Sequence, residues 1–216
     1  MLIEGAALGC ARQASLAAAL LSERDPFQVV RDSRPRSIVT DSDLLDRVVA
    51  IETFERSGES RSPIGELHRG GVHSVLRIRD QLLRLLEHDQ AEDHSGNEAE
   101  ALQRAALAAF PDRLARRRNP ASPRGVMVGG RGVKLSPRSR VLDPELFLCL
   151  DVEAGDSEAV VHLASAVRRE WLPAEQLVTE DLVEFNPHSE RIECRRIVRF
   201  EDLVLESKSH APEDPG

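Results

Sequence analysis

The sequence predicts an α+β protein with an N-terminal helical bundle followed by a small antiparallel β-barrel. Apolar residues recur every three to four positions before residue 110, which is the period of an amphipathic helix. After residue 120 they alternate with polar residues or form short runs between turn-forming residues, which is typical of short strands. This change of period predicts a helical domain at residues 1–110, a β domain at residues 111–207, and a tail or linker at residues 208–216.

The first two predicted helices are marked by their ends. Residues 11–21 are dense in alanine and leucine, which predicts a buried helix, and Pro26 follows its end. A second helix begins after Thr40 or Asp41, either of which can cap its first turn, and Gly58 lies just past its last residue. Both segments are therefore predicted as separate helices.

Two further helices complete the predicted bundle. The third presents an apolar face that consists of Val75, Ile78, Leu82 and Leu85. A polar loop at residues 91–97 separates it from a fourth helix at residues 98–110, which ends at Pro111. Four helices joined by polar loops are typical of a small bundle.

The strands of the predicted β domain are short. Gly129-Gly130 lies between two short apolar arms, which predicts a hairpin turn. Further strands are predicted at residues 146–152, 159–165, 182–200 (two strands around a turn at 186–189) and 201–207. Five or six such strands indicate a barrel or a sandwich. We favour an OB-like barrel, because that fold commonly exposes a strand face and loops to oligonucleotides.

Charge is distributed unevenly along the chain. The net charge is −8, yet residues 110–140 contain nine basic residues and a single acidic one. The net charge is −5 before this stretch and −11 after it. A basic stretch between acidic regions creates a local positive potential that the net charge of the chain conceals.

Two interpretations of the basic stretch are open from the residues alone. If Pro111 starts a helical turn, Arg113, Arg116 and Arg117 share one face of it. Their guanidinium groups suit phosphate, because each donates two parallel hydrogen bonds. In the other interpretation, the arginines complement the dipole of the preceding helix and pair with acidic regions of the same fold.

Sequence motifs for catalysis are absent. The two lysines, Lys134 and Lys208, do not lie in a phosphate-binding G-x-x-x-x-G-K-[ST] loop, so we expect neither binding nor hydrolysis of ATP. The histidines lack cysteine or carboxylate companions at metal-ligand spacing. No serine lies in a G-x-S-x-G motif. We therefore predict no catalytic residue, no cofactor and no metal site in this chain.

The composition predicts a cytoplasmic protein without membrane contact. Cys10, Cys149 and Cys194 are odd in number and far apart, which is typical of a reducing compartment rather than of a disulfide framework. No apolar run approaches the roughly 20 residues of a membrane span. The apolar N-terminal segment is interrupted by charged residues and lacks the basic start of a signal peptide.

Aromatic residues are only 3% of the chain. We predict that Trp171 and Phe147 are packing residues, so few aromatic side chains are available to stack on bases. Any binding of nucleic acid is then expected to depend on phosphate contacts and to be nearly indifferent to base sequence.

The segments around the basic stretch resemble the junction between the ratchet domain and the OB-fold of DEAH-box helicases. "AFPDRLARRR" followed by "RGVMVGGRGVKLSPRSRVL" is most similar to the HrpB-type branch of that family. "MLIEGAALGCARQASLAAALLSERDPF" is similar to the start of the ratchet domain, where a helix of small residues ends in "LLSERDPF". "SDLLDRVVAIETF" and "LHRGGVHSVLRIRDQLLRLL" are similar to the remaining ratchet helices, and "RRIVRFEDLVLESK" to the last strands of the OB-like part. The resemblance covers nearly the whole chain, and the order of its motifs is more specific than any one of them.

The resemblance implies the C-terminal accessory region of such a helicase. The RecA-like motor lobes of the family, which bind ATP and Mg²⁺, and its winged helix have no counterpart in this sequence. In that family the ratchet and OB-like parts close over single-stranded nucleic acid beside the motor. The expected partners are therefore single-stranded RNA or DNA and helicase motor domains in cis or in trans. The expected nucleic-acid contacts are Arg113, Arg116, Arg117, Arg118, Arg131, Lys134 and Arg138.

Two other functions remain open beside this accessory module. A stand-alone interaction domain would dock a protein on its acidic β domain, with the arginines in a structural role. A remnant of a truncated helicase gene would have no function of its own.

Overall fold

In the computed structural model, which describes residues 1–28, 39–86, 97–186 and 191–210, the α-helices end at residue 109 and most of the strands follow them. The helices are α1 (Leu2–Ala7), α2 (Ala11–Ser22), α3 (Asp43–Ser57), α4 (Arg69–Leu86) and α5 (Glu98–Ala109). Among them lie three short strands, β1 (Phe27–Gln28), β2 (Arg61–Ser62) and β3 (Gly65–Leu67), which form a small sheet in the order β1-β3-β2. Residues 91–96 of the predicted loop, 187–189 of the predicted turn and 211–216 of the predicted tail lie outside the described residues, and residues 208–210 of that tail belong to the last strand.

The ends of α3 follow the sequence signals with one change. Ser42, rather than Thr40 or Asp41, is the N-cap, and its hydroxyl accepts a hydrogen bond from the N–H of Leu45. Gly58 ends the helix in the left-handed region, with φ of 73°, where glycine has no steric penalty. The stop signal of this helix is therefore confirmed, and its start is shifted by one residue.

The buried face of α4 contains an arginine. Val75 is buried as predicted, but Leu85 is 76% exposed, so the predicted apolar face is wrong at that position. Arg79 is buried instead, because both oxygens of Glu55 on α3 accept hydrogen bonds from its guanidinium, at 2.7 and 2.8 Å. This bidentate pair raises the pKa of Arg79 and lowers the pKa of Glu55. The pair joins α3 to α4.

Five strands after the helices close into a barrel. They are β4 (Leu114–Arg117), β5 (Arg124–Met127), β6 (Arg131–Leu135), β7 (Leu146–Glu153) and β8 (Ala159–Val167), in the order β4-β5-β6-β8-β7, and β7 pairs with β4 to close the ring. All neighbours are antiparallel except β6 and β8, which are parallel. The prediction of a wholly antiparallel barrel is corrected at this pair, because strand directions cannot alternate at every step around a closed ring of five.

The last three strands form a sheet of their own. They are β9 (Leu177–Asn186), β10 (Arg191–Phe200) and β11 (Leu203–His210), antiparallel, with β10 in the middle. The strands that the sequence analysis assigned to one barrel are therefore divided between the barrel and this C-terminal sheet. The start of β11 returns to the barrel, where the main-chain oxygen of Val204 accepts a hydrogen bond from Arg116 on β4.

The described part of the chain contains two buried apolar clusters. The larger one joins the helices to one side of the barrel and to the C-terminal sheet, and half-buried Trp171 packs against it. The smaller one fills the barrel and includes Phe147, which is fully buried. The predicted packing role is confirmed for Phe147, and Trp171 packs in the same way with part of its ring exposed.

Gly125 on β5 lies where the barrel wall is most crowded. A Cβ at this position would lie 2.8 Å from the main-chain oxygen of Arg116 and 3.0 Å from the ring of Phe147. Because neither neighbour has room to move, we expect Gly125→Ala to lower the free energy of unfolding by about 1–3 kcal/mol in a urea titration. Gly132 on β6 is the matched control, since a Cβ there meets movable charged side chains at 3.3 Å or more. Equal costs at the two glycines would contradict this expectation.

Candidate nucleic-acid interface

The first three barrel strands place cationic side chains together on the outside of the barrel. Arg124 on β5 lies directly opposite Lys134 on β6, and both are exposed. Directly opposed residues share one face of a sheet. Arg118, which follows β4, reaches the same face, because its Nη2 lies 3.4 Å from the Cβ position that an alanine at Gly132 would have. We call the surface formed by Arg118, Arg124 and Lys134 the cationic face.

Glu158 is the acid beside the cationic face. Its carboxylate lies 3.1 Å from Nε of Arg124 and 3.7 Å from Nη2 of Arg118. The Glu158 side chain is 17% exposed, whereas about half of each arginine side chain is in contact with solvent. One carboxylate does not neutralise three cations, so the cationic face keeps a positive charge.

Two further cations lie beyond the cationic face. Arg131 follows the β5–β6 turn, and Arg138 lies in the loop after β6. Both are exposed, as is Lys134. Within the described part of the chain, the side chains of these three residues have no ion pair and no hydrogen bond. They therefore have no internal contact to break before they bind a phosphate.

The β5–β6 hairpin is held against the C-terminal sheet. Its turn contains Gly129 and Gly130, whose φ values of 84° and 70° favour glycine, so the predicted hairpin is confirmed. Met127 pairs with Arg131, which makes the connection three residues long. The N–H of Gly129 donates to Oδ1 of Asp202, just before β11, at 2.8 Å. This contact holds the turn beside the C-terminal sheet.

A groove of about 290 Å³ lies between the cationic face and the start of β11. Arg116 and Arg118 line its barrel side, and Asp202 lines the opposite side. Arg116 spans the groove, because its Nη1 donates to the main-chain oxygen of Val204 at 3.1 Å while its Nε donates to Glu145 at 2.8 Å. The side chain of Arg116 remains 36% exposed. It is therefore partly available to a ligand in the groove.

Arg116 and Arg117 lie on opposite faces of a strand, whereas the predicted helical turn would have placed them on one face. The turn that begins at Pro111 lasts three residues, and from Leu114 the chain is a strand that pairs with both β5 and β7. Consecutive side chains of a strand point to opposite faces. Arg116 therefore lies on the outside of the barrel, and Arg117 points inward and is 5% exposed.

Arg117 is bound to the main chain of the barrel. Its guanidinium donates to the carbonyl oxygens of Ser122, Val141 and Pro144 and lies 5.2 Å from the centre of the Phe147 ring. Burial lowers the pKa of Arg117. Because its guanidinium is held by three carbonyl oxygens and the residue is almost wholly buried, we infer a structural role for Arg117 in place of the expected contact with nucleic acid.

Arg113 is also held by the fold. Its Nη1 donates to the main-chain oxygen of Leu150 at 3.0 Å, and its guanidinium lies 4.9 Å from the centre of the Phe110 ring. The interpretation of the arginines as structural therefore describes Arg113 and Arg117, although their partners are carbonyl oxygens and aromatic rings rather than acids. Four other expected contacts are exposed: Arg118, Arg131, Lys134 and Arg138.

Arg124 belongs to the cationic face, but it was not among the residues predicted to contact nucleic acid. The signal was present in the hairpin, where a connection of three residues places Arg124 opposite Lys134. A connection of two residues, which the Gly-Gly pair suggests, would place them on opposite faces. The length of the turn therefore determines whether Arg124 belongs to the site.

The described residues offer little for covalent or metal chemistry. Among them, no group of three or more His, Cys, Asp or Glu side chains is placed to hold a metal ion. Cys10 and Cys149 are buried, and burial raises the pKa of their thiols to about 11 and about 12. None of the helices in the described ranges is both long and apolar enough to cross a membrane.

The fold is similar to part of two solved structures. No family model matches the chain, and no curated protein matches it. Among solved structures, it is similar to the Escherichia coli DExH-box NTPase HrpB, with 18% identity and a TM-score of 0.60. A structure described as the Escherichia coli DEAH/RHA helicase HrpB shows 19% identity and a TM-score of 0.58.

Both matches cover 96% of this chain and 22% of the matched chain. The chain therefore spans about a fifth of the length of the structures to which it is similar. At these identities the similarity concerns the fold alone, and it agrees with the HrpB-type resemblance of the sequence segments.

Proposed function

We propose that this chain is the accessory, strand-gripping module of an HrpB-type helicase and that it binds single-stranded RNA or DNA on the cationic face. The observation that carries the proposal is the position of Arg118, Arg124 and Lys134 on one surface, where Glu158 is their ion-pair partner among the described residues. A strand of phosphates is the ligand that such a surface binds best, since each exposed cation replaces a condensed counterion of the nucleic acid.

The topology of the barrel supports this assignment. Five strands in the order β4-β5-β6-β8-β7, with one parallel pair, form a Greek-key barrel of the size of an OB-fold. We therefore regard residues 114–167 as the OB-like part and α1–α5 as the ratchet-like part. In this proposal, ATP and Mg²⁺ bind to motor domains that act with this chain in cis or in trans.

The side chains near the cationic face favour phosphate contacts over base contacts. Val126 and Met127 on β5 and Gly130 in the turn are the uncharged barrel residues that line the groove, and none of them is aromatic. Stacking of bases on aromatic rings is the usual source of affinity in single-strand grooves that do not rely on phosphates alone. We therefore expect RNA and DNA oligonucleotides of different base composition to bind with similar affinity.

A binding titration at several salt concentrations tests the proposal. If the strand neutralises three or four cations, the logarithm of the association constant should fall against the logarithm of salt concentration with a slope of roughly −2 to −3. Fluorescence anisotropy with labelled single-stranded RNA and DNA measures this slope. Absence of binding at low salt, or an affinity independent of salt, would contradict the proposal and favour a protein-interaction domain.

A further inference from the structure

The helices and the barrel meet at a buried carboxylate. Asp43 is the first residue of α3 and is 3% exposed. Its carboxylate accepts three hydrogen bonds from the barrel side of the junction. Oδ2 accepts from the hydroxyl of Ser139 at 2.7 Å and from the N–H of Ala164 at 3.0 Å, and Oδ1 accepts from the N–H of Arg140 at 2.9 Å.

Two of these donors belong to the loop that carries Arg138. We call residues 136–141 the Arg138 loop. At its start, the N–H of Ser136 donates to the main-chain oxygen of Val161 on β8 at 2.8 Å. At its other end, Ser139 and Arg140 donate to Asp43. Arg138 therefore lies between an anchor on the barrel and an anchor on α3.

The main chain around Asp43 reinforces this junction. The N–H of Thr40 donates to the oxygen of Arg140 at 3.0 Å, and the N–H of Ala166 on β8 donates to the oxygen of Asp41 at 2.6 Å. Asp46, one turn into α3, lies 3.5 Å from Nη1 of Arg140. The start of α3 thus contacts both the Arg138 loop and β8, and Asp43 is the buried centre of these contacts.

We propose that Asp43 is a positioning residue through which α3 holds the Arg138 loop, and with it the Arg138 guanidinium, in place for phosphate binding. The role of Arg138 as a phosphate contact rests on the proposed function. The anchoring of the loop by Asp43 does not rest on it. The helical part of the protein would in this way contribute to the affinity for nucleic acid without touching the strand.

The variant Asp43→Asn changes the hydrogen bonds of residue 43 while the size of the side chain stays almost the same. All three partners of Asp43 are donors, and an amide offers one accepting oxygen and one NH₂ group. Whichever way the amide is turned, its NH₂ faces at least one donor, so at least one of the three hydrogen bonds is lost. Asp43→Asn is therefore expected to weaken the hydrogen bonds that join the Arg138 loop and β8 to α3, with nearly unchanged side-chain volume.

The first test compares Asp43→Asn, Arg138→Gln and the double variant in the oligonucleotide titration. Loss of one phosphate contact makes the salt slope shallower by about 0.7. We expect this change in each single variant and no further change in the double variant, because both act on the same contact. Additive losses in the double variant, or a wild-type slope in Asp43→Asn, would overturn the proposal.

Glu55→Gln controls for a general loss of stability. It weakens the ion pair with the buried Arg79, which joins α3 to α4 and makes no contact with the Arg138 loop. At a temperature where both variants remain folded, we expect Glu55→Gln to keep the wild-type salt slope. A shallower slope in this control would mean that reduced stability, rather than the position of Arg138, weakens binding, and would also overturn the proposal.

A second test does not depend on nucleic acid. Trypsin cleavage after Arg138 requires the loop to leave its anchors, so Asp43→Asn should accelerate that cleavage by about tenfold or more, as expected for loss of a hydrogen bond to a charged group. Glu55→Gln should not change it. If the wild-type protein fails to bind oligonucleotides, the proposed function is wrong. The cleavage test still shows whether Asp43 anchors the Arg138 loop. An unchanged cleavage rate in Asp43→Asn would refute the anchoring itself.

Discussion

Replacement of Arg117 by alanine is expected to lower the free energy of unfolding by about 3 kcal/mol or more. The substitution removes a buried guanidinium that donates to three carbonyl oxygens and packs on the ring of Phe147. Each carbonyl left without a donor in the interior costs about 1–3 kcal/mol, and part of this cost is recovered if water enters the cavity. For a protein of this length, 3 kcal/mol corresponds to a melting temperature lower by about 6–12 °C.

Arg118→Ala is the matched control for this prediction. Arg118 is the next residue along the chain, is about half exposed and lies 3.7 Å from its acid partner Glu158. An exposed ion pair of this kind contributes at most about 1 kcal/mol to the free energy of unfolding. The melting temperature of the Arg118→Ala protein should therefore stay close to that of the wild type. Calorimetry and oligonucleotide titration should then show opposite patterns, with Arg117→Ala losing stability and Arg118→Ala losing affinity. A stable Arg117→Ala protein with weakened binding would contradict the structural role of Arg117.

Removal of all three charges of the cationic face should have the largest effect on binding. In the triple variant Arg118→Gln, Arg124→Gln and Lys134→Gln, the salt slope for single strands should become shallower by about 2, since each lost phosphate contact accounts for about 0.7. Affinity should fall for all base sequences alike, because the cations bind phosphates rather than bases. Anisotropy titrations over a range of salt concentrations measure both effects.

Three exposed arginines of α4 provide a control with the same change of charge. They are Arg69, Arg77 and Arg84. Their replacement by glutamine lowers the net charge equally but leaves the cationic face intact. We expect the triple glutamine variant of α4 to retain most of the wild-type salt slope for single strands. Equal losses in the two triple variants would show that the total charge, and not the cationic face, determines the affinity.

Local signals predicted most of the long helices and strands, but not α1 or the small sheet of β1, β2 and β3. The three-to-four spacing of apolar residues predicted α3 and α4, and the density of alanine and leucine predicted α2. Gly58 marked a helix end, because a left-handed residue there is a property of a few neighbouring atoms. The paired glycines marked the β5–β6 hairpin for the same reason. Such signals act within one turn of chain and are therefore visible in the sequence.

Which side chains of the barrel strands point inward depended on pairing between residues that are distant in sequence. The prediction placed Arg117 beside Arg116, and the pairing of β4 with β5 and β7 turned it into the barrel instead. Similarly, the spacing of apolar residues in α4 predicted that Leu85 would be buried. In the structure Arg79 is buried instead, because Glu55 on α3 accepts its hydrogen bonds. In both cases a partner distant in sequence supplied the contacts that decide burial.

The sequence by itself determined that helices dominate before residue 110 and strands after it, and that the positive charge is concentrated in residues 110–140. Only the tertiary structure decided which of those cations share a surface. A strand exposes alternate residues, so a change of one residue in the length of the β5–β6 turn would separate Arg124 from Lys134. Pairing between strands is a long-range property, and for that reason the composition of the cationic face could not be obtained from the pattern of charges along the chain.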